Sequence, residues 1–227
     1  MNSTIEKIYN LINFNSSTMI NYSQPIDIRE RNTISLDQVI VPEWAKKDIK
    51  EILISEGELN SRVRKMSLEI CDFYKQGNLY VLTVLKGAVP FFTNLLFNEQ
   101  VSIPFIYDFI TASSYKKGTT SNGDPIIKLS PKTKKEILKK NVLVVEDIID
   151  SGLTLERIIT KIKNYKPQSV EVCALLDKKD RRVIPVDAKF IGFSIPNEFV
   201  VGYGLDFNGN YRNIQHICVL KPEIYTK

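Results

Sequence analysis

The feature that most limits how this chain can fold is Val142–Val145, a run of apolar, mostly β-branched residues that is followed at once by acids. A short run of this kind is typical of a strand buried on both faces of a sheet. Leu79–Leu85 and Ser169–Leu176 have the same character, and segments with helical periodicity lie between the three runs. Because strands alternate with helices, we expect an α/β fold with a parallel sheet flanked by helices.

Apolar periodicity also predicts the elements around this sheet. From Leu59 to Phe73 apolar residues recur in steps of three and four, which predicts a helix. The other predicted elements are a helix at Trp44–Ile54, a helix at Val89–Phe97, a strand at Ile103–Ile110 and a helical face at 155–162. Residues 1–35, rich in Asn, Ser and Thr, are expected to form a leader or packing arm. Residues 111–131 lack periodicity and are expected to be a functional or mobile loop.

Composition excludes several classes of protein. No uncharged apolar run approaches the ~20 residues of a membrane-spanning helix, so no membrane partner is expected. The N-terminus lacks the regions of a signal peptide, which favours a cytoplasmic location. Cys71, Cys173 and Cys218 show no C-x-x-C spacing, so neither a disulfide framework nor a zinc site is indicated. The single histidine, His216, excludes multi-histidine metal sites, and a structural role for it is favoured over a catalytic triad.

The net charge of +5 raises the question of a polyanionic partner. Much of the basic charge lies in two runs, Lys132–Lys140 and Lys178–Arg182. The default interpretation of both runs is a solvated face, more strongly for the first, so no nucleic-acid partner is expected.

Three carboxylates follow the central predicted strand directly, at Glu146, Asp147 and Asp150. Ligands of open α/β sheets bind at the carboxyl ends of strands, where these acids lie. The backbone N–H groups of 151–154, at the start of the next helix, are suited to phosphate. Acids beside a phosphate-binding turn suit a ribose 5-phosphate, whose hydroxyls can donate to carboxylates. The alternative is that the acids merely cap a helix.

Two common nucleotide-binding motifs are absent. No G-x-x-x-x-G-K-[ST] pattern occurs, since Asp124 follows the pair Gly118 and Gly123. The segment Gly202-Tyr-Gly204 has Phe207 where a dinucleotide-binding fingerprint needs a third glycine. The sequence therefore disfavours both P-loop kinases and nicotinamide-dependent enzymes.

The segment Glu146–Thr154, read EDIIDSGLT, resembles the phosphoribosyl pyrophosphate (PRPP) signature of type I phosphoribosyltransferases. The resemblance extends over about 36–220 and is specific to the hypoxanthine-guanine(-xanthine) phosphoribosyltransferases. Its further matches are Leu85–Gly87, Asp108–Ile110, Ser114–Tyr115, Lys178, Phe190–Phe193, Ile195–Pro196, Phe199–Tyr203, Leu205–Asp206 and Arg212. The resemblance implies a type I phosphoribosyltransferase core at about 78–176, with a small hood built from about 36–60 and 177–227.

The resemblance also implies roles for the residues that bind PRPP. Glu146 and Asp147 would take the ribose hydroxyls and help to hold Mg²⁺, and Asp206 would coordinate a second Mg²⁺. Asp150 would be the general base. The 5-phosphate would lie on Asp150, Ser151, Gly152, Leu153 and Thr154, and the pyrophosphate on Lys86, Gly87 and Arg212. The family has a cis peptide in the Lys86–Gly87 loop.

The implied base site consists of Phe199 stacking on the purine, Lys178 donating to its 6-oxo group, and the backbone of Val200 and Asp206. Ser114 and Tyr115 match the family's lid loop. The sequence departs from the family at Thr111, Ser113 and Leu153, where relatives often carry basic residues.

The implied reaction joins a 6-oxopurine (hypoxanthine, guanine or xanthine) to PRPP in purine salvage. The products would be the purine nucleoside monophosphate and pyrophosphate. The resemblance further implies a homodimer or homotetramer. The alternative is a non-catalytic PRPP-sensing regulator on the same fold that binds nucleic acid through its lysine-rich runs.

Overall fold

The computed structural model describes residues 24–113 and 126–226, and the predicted parallel sheet lies at its centre. Within these ranges seven strands form one sheet in the order β1-β8-β7-β6-β3-β4-β5. Neighbouring strands are parallel except β4 and β5. The strands are β1 (Ile26–Asp27), β3 (Leu79–Leu85), β4 (Phe105–Ser113), β5 (Ile126–Lys128), β6 (Asn141–Ile149), β7 (Ser169–Asp177) and β8 (Phe190–Ser194).

Helices cover both faces of this sheet, because alternate residues of the central strands point to opposite sides. Val81 and Leu143 belong to the core on the face that packs against α2 (Glu56–Phe73) and α3 (Val89–Leu96). Tyr80 and Val142 belong to the core on the face that packs against α5 (Leu153–Lys163). The predicted α/β fold is therefore confirmed.

The local sequence accounts for where α2 begins. The Ser55 hydroxyl accepts a hydrogen bond from the Glu58 N–H, and the Glu58 carboxylate accepts one from the Ser55 N–H at 2.9 Å. This reciprocal capping box satisfies two amides that a helix start leaves unpaired. The predicted helix at 59–73 is confirmed and extends three residues further towards the N-terminus.

A small antiparallel sheet forms from β2 (Ile49–Ile54), β10 (Ile217–Leu220) and β9 (Val200–Val201). The helix predicted at Trp44–Ile54 is wrong, since only α1 (Glu43–Lys46) is helical and the chain continues through a turn into β2. Pairing with β10 buries Ile49, Ile52 and Ile54 completely, and this distant contact outweighs the local helical pattern.

The predicted loop 111–131 is regular at both ends. The strand β4 continues to Ser113, three residues beyond its predicted end, and pairs with β5. The helix α4 (Pro131–Glu136) begins at the end of the predicted loop. The middle of the loop, 114–125, lies outside the described residues.

The described part of the N-terminal arm contacts both sheets. Its strand β1 pairs with β8 in the large sheet, and Ile34 bridges to Ile52 in the small one. Because β8 belongs to the large sheet, part of the predicted hood range 177–227 lies with the core, and the division into core and hood stays a prediction. No helix among the described residues combines the length and apolar content needed to cross a membrane.

His216 has the structural role that was favoured for it. Its Nδ1 accepts a hydrogen bond from the Glu56 N–H at 2.9 Å, and its Nε2 lies 3.1 Å from the Ile40 carbonyl oxygen. The ring thereby ties the small sheet to the start of α2. Cys71, Cys173 and Cys218 are buried free thiols, as expected.

Candidate active site

A cavity of about 390 Å³ lies at the carboxyl ends of β3 and β6. It lies at the edge of the sheet where ligands of α/β proteins bind. The predicted site residues that line it are Lys86, Gly87, Glu146, Asp147, Asp150, Ser151, Gly152, Thr154, Asp206 and Arg212. The fold thus brings most of the predicted phosphate, ribose and pyrophosphate groups to one place.

Two adjacent, partly buried acids at the end of β6, Glu146 and Asp147, line this cavity. Burial raises the pKa of Glu146 well above the ordinary carboxyl value, and the neighbouring charge of Asp147 raises it further. Burial also raises the pKa of Asp147, although Arg212 and the Ile148 N–H, which donates to this carboxylate at 2.8 Å, oppose that rise. Such a pair favours a ligand that supplies positive charge or hydroxyl donors.

Gly87 is pressed directly against Asp147. A Cβ atom at Gly87 would lie 1.6 Å from Oδ2 and 2.8 Å from Cγ of Asp147, so any larger residue there would displace the Asp147 carboxylate. The cis peptide bond of this loop joins Leu85 and Lys86. The family resemblance predicts a cis peptide bond in the Lys86–Gly87 loop. In the structure this bond lies at the start of the loop, directly after the last residue of β3.

The phosphate turn, residues 150–154, connects β6 to α5. Gly152 has φ +85°, and a Cβ atom there would lie 2.6 Å from the Ile184 carbonyl oxygen. Its left-handed conformation changes the chain direction directly before α5, so that the first amides of α5 lie at the cavity. Leu153 is 42% exposed and, unlike Ser151, Gly152 and Thr154, does not line the cavity.

The segment that follows β9 brings Asp206 and Arg212 to the opposite wall. The Arg212 guanidinium lies 2.6 Å from the Asp206 carboxylate and donates to the Gly204 carbonyl at 2.6 Å. Asp206 also accepts a hydrogen bond from the Gly209 N–H at 2.8 Å. Gly204 lies against Gly87, so this segment and the Lys86–Gly87 loop are in direct contact.

Asp150 forms an ion pair with Arg181 at the edge of the cavity. Arg181 Nε lies 3.0 Å from its Oδ1, outside hydrogen-bond geometry. This buried oxygen has no hydrogen-bond partner among the described residues. The side chain as a whole is 44% exposed, so the rest of the carboxylate remains accessible from the cavity.

The interpretation of the basic run Lys178–Arg182 as a solvated face is correct for 179–181, which are exposed, and wrong for Lys178 and Arg182. The Lys178 side chain is largely buried, and Arg182 pairs with the buried carboxylate of Asp177. Arg181, Arg182 and Asp177 were not predicted as site residues. A signal was available, since Asp177 directly follows a predicted buried strand and so lies at the same edge as Glu146.

Of the residues predicted to bind the base, Asp206 lines this cavity, whereas Lys178, Phe199 and Val200 do not. The Lys178 side chain is 7% exposed, and its ammonium has no hydrogen-bond or ion-pair partner in 24–113 or 126–226. Burial lowers the pKa of Lys178, while the charges of Asp150 and Glu198 act to raise it. Phe199 stacks on Tyr225 with ring centroids 4.6 Å apart. Ser114 and Tyr115, the predicted lid residues, lie outside the described residues.

Comparison with known proteins agrees with this geometry. A family model described as a phosphoribosyl transferase domain matches residues 51–208. The chain is 44% identical over 180 residues to the bifunctional protein TilS/HprT of Listeria monocytogenes, covering 79% of the chain and 27% of that protein. It thus spans about a quarter of the bifunctional relatives.

Two further relatives match over almost their full length. The chain is 39% identical over 181 residues to a hypoxanthine-guanine phosphoribosyltransferase of Streptococcus pneumoniae, covering 80% of the chain and 98% of that protein. A crystal structure of a hypoxanthine phosphoribosyltransferase from Staphylococcus aureus superposes with a TM-score of 0.75 at 34% identity. It covers 83% of this chain and 100% of that chain.

Proposed function

Since the chain belongs to the phosphoribosyltransferase family, we propose that it acts in purine salvage by transferring the 5-phosphoribosyl group of PRPP to a 6-oxopurine. The products are the nucleoside monophosphate and pyrophosphate. The observation that carries the proposal is one cavity in which the acids Glu146 and Asp147 adjoin the phosphate turn. Among the described residues no observation favours the regulator, because Lys178 is buried and Arg182 pairs with the buried carboxylate of Asp177.

PRPP binds in this proposal with its three parts on three walls of the cavity. The ribose hydroxyls donate to Glu146 and Asp147, and the 5-phosphate accepts hydrogen bonds from the backbone of 151–154. The pyrophosphate lies against Lys86, Gly87 and Arg212. The cationic side chains of Lys86 and Arg212 offset its charge. The contact between Gly204 and Gly87 keeps the Arg212 segment and the Lys86–Gly87 loop together.

The acids of the cavity fit Mg²⁺. Burial raises the pKa of both Glu146 and Asp147, and a cation would relieve the cost of ionising them together. Among the described residues no group of three His, Cys, Asp or Glu side chains forms a complete metal site. Mg²⁺ commonly binds through one or two carboxylates plus substrate oxygens and water, which suits Glu146, Asp147 and Asp206. When bound, Mg²⁺ would neutralise charge on the departing pyrophosphate.

Asp150 and Lys178 act on the purine. Lys178 donates to the 6-oxo group, and its ammonium has no other hydrogen-bond or ion-pair partner among the described residues. Asp150, whose side chain is partly exposed at the cavity, accepts the proton from purine nitrogen 7. The negative charge left on the imidazole ring is shared with nitrogen 9, and nitrogen 9 bonds to carbon 1 of the ribose as the bond from that carbon to pyrophosphate breaks. Adenine presents a 6-amino donor to Lys178 and is rejected.

The test is a direct assay of the wild-type protein. It is incubated with PRPP, Mg²⁺ and, separately, hypoxanthine, guanine, xanthine and adenine, and nucleotide formation is followed. We expect turnover of at least one 6-oxopurine and none of adenine. Turnover of no purine, with PRPP still bound, would favour the regulator.

We also propose a homodimer or homotetramer, based on an exposed aromatic cluster. Phe97 and Tyr107 are 56% and 45% exposed, and their rings lie 5.7 Å apart. Phe105 and Phe109 extend the same cluster along β4. Contiguous exposed apolar surface of this kind marks an interaction site. Phe97→Ser should lower the mass measured by light scattering, whereas Leu138→Ser, at another exposed apolar residue, should not.

A further inference from the structure

Arg182 makes an unusual set of contacts behind the phosphate turn. Its guanidinium pairs closely with the Asp177 carboxylate and donates to the Asp150 carbonyl at 3.1 Å and the Ile149 carbonyl at 3.4 Å. The side chains of Arg182 and Asp177 are 18% and 5% exposed. Arg182 does not line the cavity, so it reaches the site only through other residues.

Stability alone does not explain this buried pair. Desolvating two charges costs about as much as their attraction returns, and apolar residues of similar size often stabilise a protein equally well. Asp177 ends β7 in register with Ile149, the last residue of β6. The pair is therefore built at the point where β6 enters the phosphate turn, which suggests a role in shaping that turn.

The backbone next to Arg182 contacts the same turn. The N–H groups of Val183 and Ile184 both donate to the Ser151 carbonyl, at 2.9 and 3.1 Å. The Lys178 N–H donates to the Ile149 carbonyl at 3.0 Å. The carbonyls of three consecutive residues, Ile149, Asp150 and Ser151, are thus all held by the segment 178–184.

Holding these carbonyls sets the direction of the amides. In a planar trans peptide the C=O and N–H bonds point in opposite directions. When the Asp150 carbonyl is drawn towards Arg182, the Ser151 N–H points the other way, and the Ser151 carbonyl orients the Gly152 N–H likewise. Ser151 and Gly152 both line the cavity. The amides that would bind a 5-phosphate are aimed by contacts on the far side of the turn.

We propose that Arg182, oriented by Asp177, is a positioning residue for the 5-phosphate subsite. The proposal rests on the proposed function. Arg182 holds the carbonyls of Ile149 and Asp150 so that the turn presents its amides to phosphate before the ligand arrives. Preorganised donors of this kind lower the cost of ordering a loop on binding.

The role predicts a selective defect. PRPP and the nucleoside monophosphate carry the 5-phosphate, whereas pyrophosphate and the free purine lack it. Losing Arg182 should weaken the first two ligands and leave the last two almost unchanged. A general loss of folding would weaken all four together.

The test compares Arg182→Lys with the wild type and with Arg157→Lys, a control on α5. Lysine keeps the charge beside Asp177 but cannot reach two carbonyls at once. We expect the KM for PRPP and the Kd for the nucleoside monophosphate, measured by calorimetry, to rise at least about tenfold in Arg182→Lys. The Kd for Mg²⁺-pyrophosphate and the KM for purine should stay within about twofold, and Arg157→Lys should match the wild type.

Equal affinity of Arg182→Lys and the wild type for the monophosphate would overturn the proposal, as would equal losses for monophosphate and pyrophosphate. If Arg182→Lys does not fold, Asp177→Asn keeps the guanidinium but loosens its orientation, and should show a smaller loss with the same selectivity. A wild type that binds the monophosphate but forms no nucleotide would refute the proposed function. The binding comparison would still decide the role of Arg182.

Discussion

Gly204→Ala should disable the site through a single contact. Gly204 has φ +100°, and a Cβ atom there would lie 2.0 Å from the Gly87 carbonyl oxygen and 2.9 Å from Pro90 Cδ. Real Cβ contacts are essentially never shorter than 3.0 Å, so the two backbone segments must separate by about 1 Å or more. Both segments are backbone, so neither can relieve the overlap by a side-chain rotation.

The displacement would reach the groups proposed to bind pyrophosphate. The Gly204 carbonyl accepts a hydrogen bond from Arg212, and Gly87 lies against Asp147. Misplacing catalytic groups by about 1 Å can lower a rate ~10²-fold. We expect kcat/KM for PRPP to fall by about that factor, with a lower Tm from the added backbone strain of about 1–3 kcal/mol.

Gly209→Ala is the matched control. Gly209 has φ +83°, but a Cβ atom there would meet nothing within 4 Å. This variant carries similar backbone strain without the overlap and should keep kcat/KM within about threefold. The assay is initial-rate kinetics with varied PRPP, together with thermal unfolding of each variant. Wild-type kinetics in Gly204→Ala, or an equal loss in Gly209→Ala, would refute the reasoning.

Three further variants test the remaining chemistry. Asp150→Asn should lower single-turnover rates ~10²–10⁴-fold with PRPP affinity nearly intact, and an unchanged rate would remove Asp150 from proton transfer. Lys178→Ala should raise the KM for 6-oxopurines far more than the KM for PRPP. An unchanged KM for the purine would show that Lys178 does not contact the base. Because burial and Asp147 raise the pKa of Glu146, the folded protein holds that proton to higher pH than the unfolded chain. The free energy of unfolding therefore decreases as pH rises from about 4.3, the ordinary pKa of a glutamate, to the raised pKa of Glu146 in the folded protein. Glu146→Gln should accordingly raise the Tm of the free protein at pH 8, by a margin that shrinks towards pH 4, while weakening PRPP binding. A lower Tm at pH 8 would contradict this.

Local pattern was sufficient for the parts of the site that follow one another in the chain. Val142–Val145 is buried on both faces, so its composition alone indicates a central strand, and the acids after it must lie at the carboxyl edge. The turn at 150–154 follows from small residues and a glycine that takes a positive φ. Lys86 and Gly87 lie at the same edge because β3 is parallel to β6.

Contacts between distant segments could not be read in this way. Ile49–Ile54 pairs with β10, more than 160 residues later in the chain, and this partner makes it a strand instead of the predicted helix. The approach of Gly204 to Gly87 and the position of Arg182 behind the turn likewise join residues far apart in sequence.

The sequence by itself therefore determined the α/β class, the edge of the sheet that carries the site and the chemical types of its groups. These follow from periodicity and composition, which act over a few residues. Only the tertiary structure decided which segments meet there, that Lys178 and Arg182 face inward, and which glycines must remain glycine. Those outcomes depend on packing and hydrogen bonds between distant segments, where burial outweighs local preference.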